Sequence, residues 1–339
     1  MPGMSDADRS AVADALSRAE RVTLVMHVLP DGDTTGSALG LAAVLAGQGK
    51  AVTVLGPEPV LSTYRFLPGA EAVAGGPLSQ GGRAPRANVA VTLDCGHPDR
   101  CFGAPALREL APLLVNIDHH RSNPRFGDLN WVEPDRAAVG DMIVDLCDAA
   151  GWPVPRDAAL CLYVSLVADT EGLRFGCHDS RGLETAARLV RTGLDPDRIA
   201  RRLWEHQSWA RARLAGWMWS HVEHDPSRRV VWVRLPAQVQ RELGARPEDA
   251  EGLISRLRAL EGVQLALFFR EEESGVVKVS LRSRPPFAAG RMAERLGGGG
   301  HEHAAGIVCP PGLDAAVRSV LTLVEQECGE TIVWTDLSV

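Results

Sequence analysis

Through the first two thirds of the chain, short apolar runs rich in Val and Leu alternate with segments whose apolar residues recur every three to four positions. That alternation predicts βαβ units and a mainly parallel sheet. The runs predict strands at Val22–Val28, Ala51–Leu55, Val89–Leu93 and Leu113–Ile117, and helices at Ser37–Ala46, Ala137–Ala150, Asp157–Ala168 and Ser180–Arg191. Helical character continues through Asp195–His224, where Trp204, Trp209, Trp217 and Trp219 cluster. Packing between connecting helices is the ordinary reading of such residues, and a homodimer surface the sharper one. From Arg228 the pattern changes to strands at Val230–Val233, Val263–Phe269 and Val276–Leu281, interleaved with helices at Glu248–Leu260, Ala288–Leu296 and Leu313–Val324. Within it, FFREEESGVVKVSLRS reads as a hairpin turning at Glu273-Ser274-Gly275. The pattern divides the chain into an N-terminal α/β domain over 1–205, a helical linker over 206–227 and a smaller α/β domain over 228–339. The stretch Gly75–Ala87, rich in Gly, Pro and Arg, is expected to be a surface loop.

Composition narrows this picture. A chain of 339 residues, 45% hydrophobic and 23% charged, is ordinary for a globular protein and long enough for two cores. No apolar run approaches the about 18 residues needed to cross a bilayer. The N-terminus, MPGMSDADRS, has neither the basic region nor the apolar core of a secretory signal. The expected location is therefore the cytoplasm, with no membrane partner. Seven cysteines, an odd number without a C-x-x-C pair, fit buried thiols of a reducing compartment. A net charge of −7 argues against a surface that grips long duplex nucleic acid. The balance reverses locally between Lys278 and His303, where Lys278, Arg282, Arg284, Arg291 and Arg295 outnumber Glu294 and Glu302, and this suits a small phosphorylated ligand.

The candidate chemistry stands at the ends of the predicted elements. VMHVLPDGDTTGSALG, residues 25–40, places His27, Asp31 and Asp33 after the first strand; Asp94 follows another in VAVTLDCGH; Asp118-His119-His120 follows a third; and a helix ends at Asp169 in LVADTEG. In an open α/β sheet the carboxyl ends of the strands line one crevice, so these loops should converge. Converging aspartates at reduced dielectric need cations. Carboxylates with a minority of imidazoles suit Mn²⁺ or Mg²⁺, whereas zinc would draw more His or Cys. In an extended loop Asp31 and Asp33 would point to opposite sides, with Gly32 permitting the turn. Two such ions can hold a hydroxide for in-line attack at phosphorus, so the expected chemistry is hydrolysis of a phosphate ester or anhydride.

HVLPDGDTTGS, the lone Asp94, DHHR at 118–121, ADT at 168–170 and GGGHEHAAG at 298–306 resemble, in chain order, the motifs of the DHH phosphoesterase superfamily. In length and C-terminal motif the chain is most similar to the single-chain nanoRNase/pAp-phosphatase branch. The resemblance implies an N-terminal DHH domain, a C-terminal DHH-associated domain, and an active site in the cleft between them. It assigns His27 and Asp31 to one metal, Asp33, His119 and Asp169 to a second, and Asp94 to both. The metals would be two Mn²⁺, with Mg²⁺ or Co²⁺ as alternatives. His120 would face the substrate phosphate, Asp118 would orient an imidazole, and Arg121 would pair with a phosphate oxygen. Ser280, Arg282, Ser283, Gly298, Gly299, Gly300 and His301 would hold the far end of a short nucleotide. The implied substrates are very short oligoribonucleotides, dinucleotides and 3′-phosphoadenosine 5′-phosphate. Two departures from the family pattern stand out: Glu171 interrupts the usual D-T-G, and Thr34-Thr35 replaces small or aliphatic residues, with Thr35 a candidate helix cap.

Taken singly, each motif is weak. PDGD alone is an ordinary turn, and a glycine run is usually a flexible loop. His301-Glu302-His303 lacks the i, i+4 spacing of a zincin, and neither a Walker loop nor a G-x-G-x-x-G fingerprint is present. The competing readings are a cyclic dinucleotide phosphodiesterase, a family II-like inorganic pyrophosphatase, and a noncatalytic nucleotide-binding protein. The C-terminal GGGH-x-x-AAG loop argues against the pyrophosphatase, and retention of all six metal ligands against the noncatalytic reading.

Overall fold

A computed structural model describes residues 4–58, 60–75, 87–104, 106–205, 207–225, 227 and 229–328. Contacts divide the chain into two units, Met1–His206 and Gln207–Val339. In the first, α1 (Met4–Arg18), β1 (Arg21–Val25), α2 (Gly32–Gly47), β2 (Ala51–Leu55), β3 (Val89–Leu93), α3 (Leu107–Leu110), β4 (Leu113–Asp118), β5 (Leu129–Val132), α4 (Val139–Ala150), α5 (Arg156–Asp169), α6 (Arg181–Val190) and α7 (Pro196–Ala200) follow in order. The strands form one sheet, β2-β1-β3-β4-β5, in which every pairing is parallel. Burial of both faces explains why its strands read as near-continuous Val/Leu runs. On one face Leu24, Val91, Leu93, Val115 and Ile117 join Leu16 of α1, Leu41 and Val44 of α2, Met142 of α4 and Leu162 and Leu166 of α5 in one core cluster. On the other, Val25, Ala90 and Leu114 join Leu107 and Leu110 of α3.

Helices α2 and α5 meet at Gly36, where an added Cβ would stand 2.4 Å from the carbonyl oxygen of Cys161. Gly36→Ala must spread the two helices, and is expected to cost about 1–3 kcal/mol of stability. Gly47→Ala, at the open end of α2 with no atom within 4 Å of the added carbon, should be neutral or stabilise by up to about 1 kcal/mol. Thermal unfolding followed by circular dichroism compares the two; an equal response would contradict the packing at Gly36.

The second unit contains α8 (Trp209–Ser220), β6 (Glu223–His224), β7 (Val230–Leu235), α9 (Ala237–Leu243), α10 (Leu253–Arg258), β8 (Leu265–Glu271), β9 (Val277–Ser283), α11 (Ala289–Arg295), β10 (Gly299–His301), β11 (Ala304–Cys309) and α12 (Leu313–Cys328). Its mixed sheet, β10-β11-β9-β8-β7-β6, has one parallel pairing, β7 with β8. Val277, Val279 and Leu281 of β9 share a core with α11 and α12. Ala266 and Phe268 of β8 face the other way, into a core with α8 and α10.

The expected parallel sheet and second α/β unit are present, and the departures have physical causes. β1 ends at Val25, and His27 makes only an isolated bridge to Cys101. The expected helix Glu248–Leu260 is broken by Gly252, whose left-handed backbone (φ 72°) precedes α10. No periodicity signals β5, which is only four residues long, yet its Trp131 is fully buried and donates its indole N–H to Glu133 Oε1 at 2.6 Å. The tryptophans differ in burial: Trp217 joins a core, whereas Trp209 is 85% exposed. Most of Gly75–Ala87, the expected surface loop, lies outside the described residues. Among those residues no helix is long and apolar enough to cross a membrane.

Candidate metal centre

Strand and helix ends deliver the polar cluster. The chain leaves β1 to present His27, leaves β3 at Asp94, passes from Asp118 at the end of β4 directly into His119 and His120, and ends α5 at Asp169. Asp31 and Asp33 do not lie in an extended loop as expected. Asp31 is the N-cap of α2, accepting from the Asp33 and Thr34 amides at 3.0 and 3.1 Å, and Asp33 occupies the first turn. The free amides of a helix start favour carboxylates there. Nor does Thr35 cap the helix: its hydroxyl is buried without a hydrogen-bond partner among the described residues. Thr34 fastens the loop instead, donating to the Leu93 carbonyl at 2.9 Å and accepting from the His27 amide at 3.3 Å.

All six expected ligands come together. His27 Nε2 stands 3.6 Å from Asp31 Oδ1 and 3.5 Å from Asp94 Oδ2. His119 Nε2 stands 3.5 Å from Asp33 Oδ2, 3.6 Å from Asp94 Oδ1 and 3.8 Å from Asp169 Oδ2. Asp94 thus faces the two imidazoles with different oxygens. It holds a left-handed backbone (φ 57°), uncommon for a residue with a side chain and frequent at functional sites. The N to O separations exceed an ordinary hydrogen bond, and Asp94 Oδ1 is buried without accepting one from any described residue.

The electrostatics show a cluster short of positive charge. Burial alone would lower the His27 pKa, but Asp31 and Asp94 raise it to about 10. Burial likewise opposes the charged form of His119, yet Asp94, Asp169 and Asp33 push it well up. Burial, reinforced by Asp94, pushes the Asp33 carboxyl well above the carboxylate range. Burial also lifts Asp169 to about 6, against the pull of His119. Protons therefore occupy, in the metal-free protein, positions where cations would serve. Oxygen donors with a minority of imidazole nitrogens, an orphaned buried carboxylate oxygen and retained protons all fit hard or borderline divalent ions.

Supporting contacts orient these groups. A carbonyl only accepts, so the 3.0 Å contact between His119 Nδ1 and the Arg136 carbonyl puts the proton on Nδ1 and turns Nε2 toward the carboxylates. Arg136 is itself buried and paired with Asp141 at 2.8 Å and Asp145 at 2.6 Å. His120 Nδ1 lies 2.8 Å from Asp118 Oδ1, as expected of an orienting carboxylate. Asn123 donates to the other Asp118 oxygen and to Asn116 Oδ1. Sequence reasoning missed Arg136, which acts through its backbone. It also missed Asn123, whose position just after DHHR was the available signal. Arg121 is exposed and pairs with Asp135 at 3.0 Å. Glu171 pairs with Arg174 at 3.0 Å.

The expected substrate-binding residues occupy β9–β11 of the second unit. Ser280 and Arg282 are half-buried on β9, and Gly299, Gly300 and His301 form β10. Ser283 is different: it is 1% exposed, and its hydroxyl accepts from the Ala289 amide at the start of α11 at 3.0 Å and contacts His303 Nδ1 at 3.1 Å. Gly298 is needed by the hairpin, since an added Cβ would stand 2.2 Å from the Gly306 carbonyl oxygen. Gly299, by contrast, faces open space, with no atom within 4 Å of an added Cβ.

Fold and site together define a two-unit α/β protein with a cluster of carboxylates and imidazoles, suited to divalent cations, at the carboxyl ends of a parallel sheet. Residues 21–166 match the model of the DHH family, N-terminal domain, and residues 234–330 that of the DHHA1 domain. The bifunctional oligoribonuclease and PAP phosphatase NrnA of Thermus thermophilus is 35% identical over 319 residues, 93% of each chain. The chain belongs to the DHH family. A crystal structure of an exopolyphosphatase-related protein from Bacteroides fragilis matches with a TM-score of 0.85 at 24% identity, over 95% of this chain and 96% of that one. RecJ of Thermus thermophilus in complex with Mn²⁺ matches with a TM-score of 0.54 at 18% identity, over 97% of this chain and 55% of RecJ. At such identities these two speak for the fold alone.

Proposed function

We propose that the protein is a metal-dependent phosphoric ester hydrolase that cleaves very short oligoribonucleotides and removes the 3′-phosphate of 3′-phosphoadenosine 5′-phosphate. The observation that carries this reading is the buried cluster in which Asp94 faces His27 with one carboxylate oxygen and His119 with the other. The name of the 35% identical relative supports the substrate class. In this reading His27, Asp31 and Asp94 hold one cation, and Asp33, Asp94, His119 and Asp169 a second. Divalent cations there, Mn²⁺ by preference, would neutralise the carboxylates, polarise the phosphoryl oxygens and lower the pKa of water. His120, with Nδ1 engaged by Asp118, offers Nε2 to a phosphate oxygen or leaving group. Arg121 would exchange its exposed partner Asp135 for substrate phosphate. Ser280, Arg282, Gly299 and His301 are the proposed contacts for the rest of a short nucleotide.

The test is a product-release assay with Mn²⁺ on a dinucleotide, 3′-phosphoadenosine 5′-phosphate, a long RNA, a cyclic dinucleotide and pyrophosphate. The first two should turn over at least about tenfold faster than the others. Turnover confined to pyrophosphate or to the cyclic dinucleotide would replace this assignment.

A further inference from the structure

Ser165, on α5, stands where three helices meet. It is fully buried, and its hydroxyl accepts from the Gly140 amide of α4 at 2.9 Å and donates to Asp33 Oδ1 on α2. The helices come this close because two glycines face the serine. A Cβ on Gly140 would lie 2.1 Å from Ser165 Oγ, and one on Gly36 would lie 2.8 Å from Ser165 Cβ. Around Asp33 the lone pairs can be counted. Oδ1 receives the Ser165 hydroxyl and, at 3.3 Å, the Gly140 amide; Oδ2 receives the Val139 amide at 2.8 Å. A carboxylate oxygen has two lone pairs. Oδ1 is therefore fully engaged, and Oδ2 keeps one lone pair, on the oxygen that stands 3.5 Å from His119 Nε2.

We propose that Ser165 is a positioning residue that restricts Asp33 to a single coordinating oxygen and so sets which cation the centre prefers. The inference rests on the metal-dependent reading above. Calcium favours six to eight oxygens and takes carboxylates readily in bidentate fashion, whereas smaller ions favour fewer ligands in tighter geometry. A carboxylate limited to one oxygen favours the smaller ion. Removing the hydroxyl leaves Oδ1 with the Gly140 amide alone and one lone pair open, which lets Asp33 turn toward bidentate coordination and relaxes the discrimination.

The experiment is calorimetric titration of Mn²⁺ alone and Ca²⁺ alone into the chelator-stripped full chain, for the wild type, Ser165→Ala and Ser165→Cys. Loss of a contact that orients a ligand typically weakens metal binding roughly 10–100-fold. Ser165→Ala is expected to weaken Mn²⁺ by at least about tenfold while Ca²⁺ binds as tightly as before or more so, with Ser165→Cys between. A role confined to packing would weaken both cations by one factor, and that result, or no change in either, overturns the proposal. Should Ser165→Ala fail to fold by circular dichroism, the more nearly isosteric Ser165→Cys decides by the same ratio. A wild type that binds neither cation overturns both the metal-dependent reading and this inference; a wild type that binds, with an unmoved ratio, removes the inference alone.

Discussion

Asp94→Asn is expected to lower kcat/KM for a dinucleotide by at least about 10³-fold while the protein stays folded. The loss follows from position: among the described residues this carboxylate alone faces both His27 and His119, so the change removes the negative charge that both halves share and replaces one of the two oxygens by an NH₂ that cannot ligate. Lewis-acid stabilisation of the transition state is worth several kcal/mol, and each 1.4 kcal/mol is about a factor of ten in rate. Asn is the informative substitution because the backbone at 94 is left-handed, a conformation that Asn tolerates and that costs Ala on the order of 1 kcal/mol. Asp94→Ala would mix that strain with the chemical loss. Mn²⁺-supported mononucleotide release gives the rate, and thermal unfolding verifies the fold. Near-full activity in a folded Asp94→Asn variant would sink the shared-ligand assignment.

What was legible in the sequence follows from how directly each feature depends on side-chain type. The parallel sheet announced itself because strands buried on both faces must be mostly apolar, as in VAVTL of β3, buried at every position. The six clustered carboxylates and imidazoles could be picked out because only a few residue types can hold a divalent ion and all six stand at or next to element ends. Less legible were features carried by the backbone or by contacts distant in sequence. The cap at Asp31 replaced an expected loop because a helix can begin at Gly32 once its first amides find an acceptor. Arg136 orients His119 through a carbonyl that any residue would provide. Ser165 lies 132 residues from Asp33, and nothing in LYVSLVAD marks its hydroxyl as engaged. The substrate-side expectations were least secure where glycine and serine have structural uses of their own. Ser283 ties down the start of α11, and Gly298 makes room for Gly306.

Removing bound cations with a chelator is expected to destabilise the protein, and to do so more strongly as pH rises from about 6.5 to about 8.5. In the metal-free cluster the His27 pKa stands at about 10, above its ordinary 6.5, because Asp31 and Asp94 outweigh the cost of burial. A group whose pKa rises on folding stabilises the fold fully below its unfolded value, and loses that contribution as pH climbs toward its folded value. His119, also raised, acts with the same sign. Asp94, for which burial works against the charged form but the neighbouring imidazoles of His119 and His27 hold the carboxyl well below the usual range, acts oppositely, but only as pH falls through the acid range below 3.8. Between about 6.5 and 8.5 the unfolded chain gives up imidazole protons that the metal-free fold still holds, so the metal-free fold loses stability. Over the same interval cations compete with fewer protons for the imidazoles and bind more tightly. The difference in thermal midpoint between Mn²⁺-loaded and chelator-treated protein should widen by at least ~5 °C across it, since each kcal/mol is worth about 2–4 °C for domains of this size. Calorimetry in buffers of different ionisation heat should show net proton release on Mn²⁺ binding at the lower pH. A difference that stays constant or narrows would mean that His27 and His119 are neutral before the cation arrives. The charge shortage inferred from this cluster would then have another source.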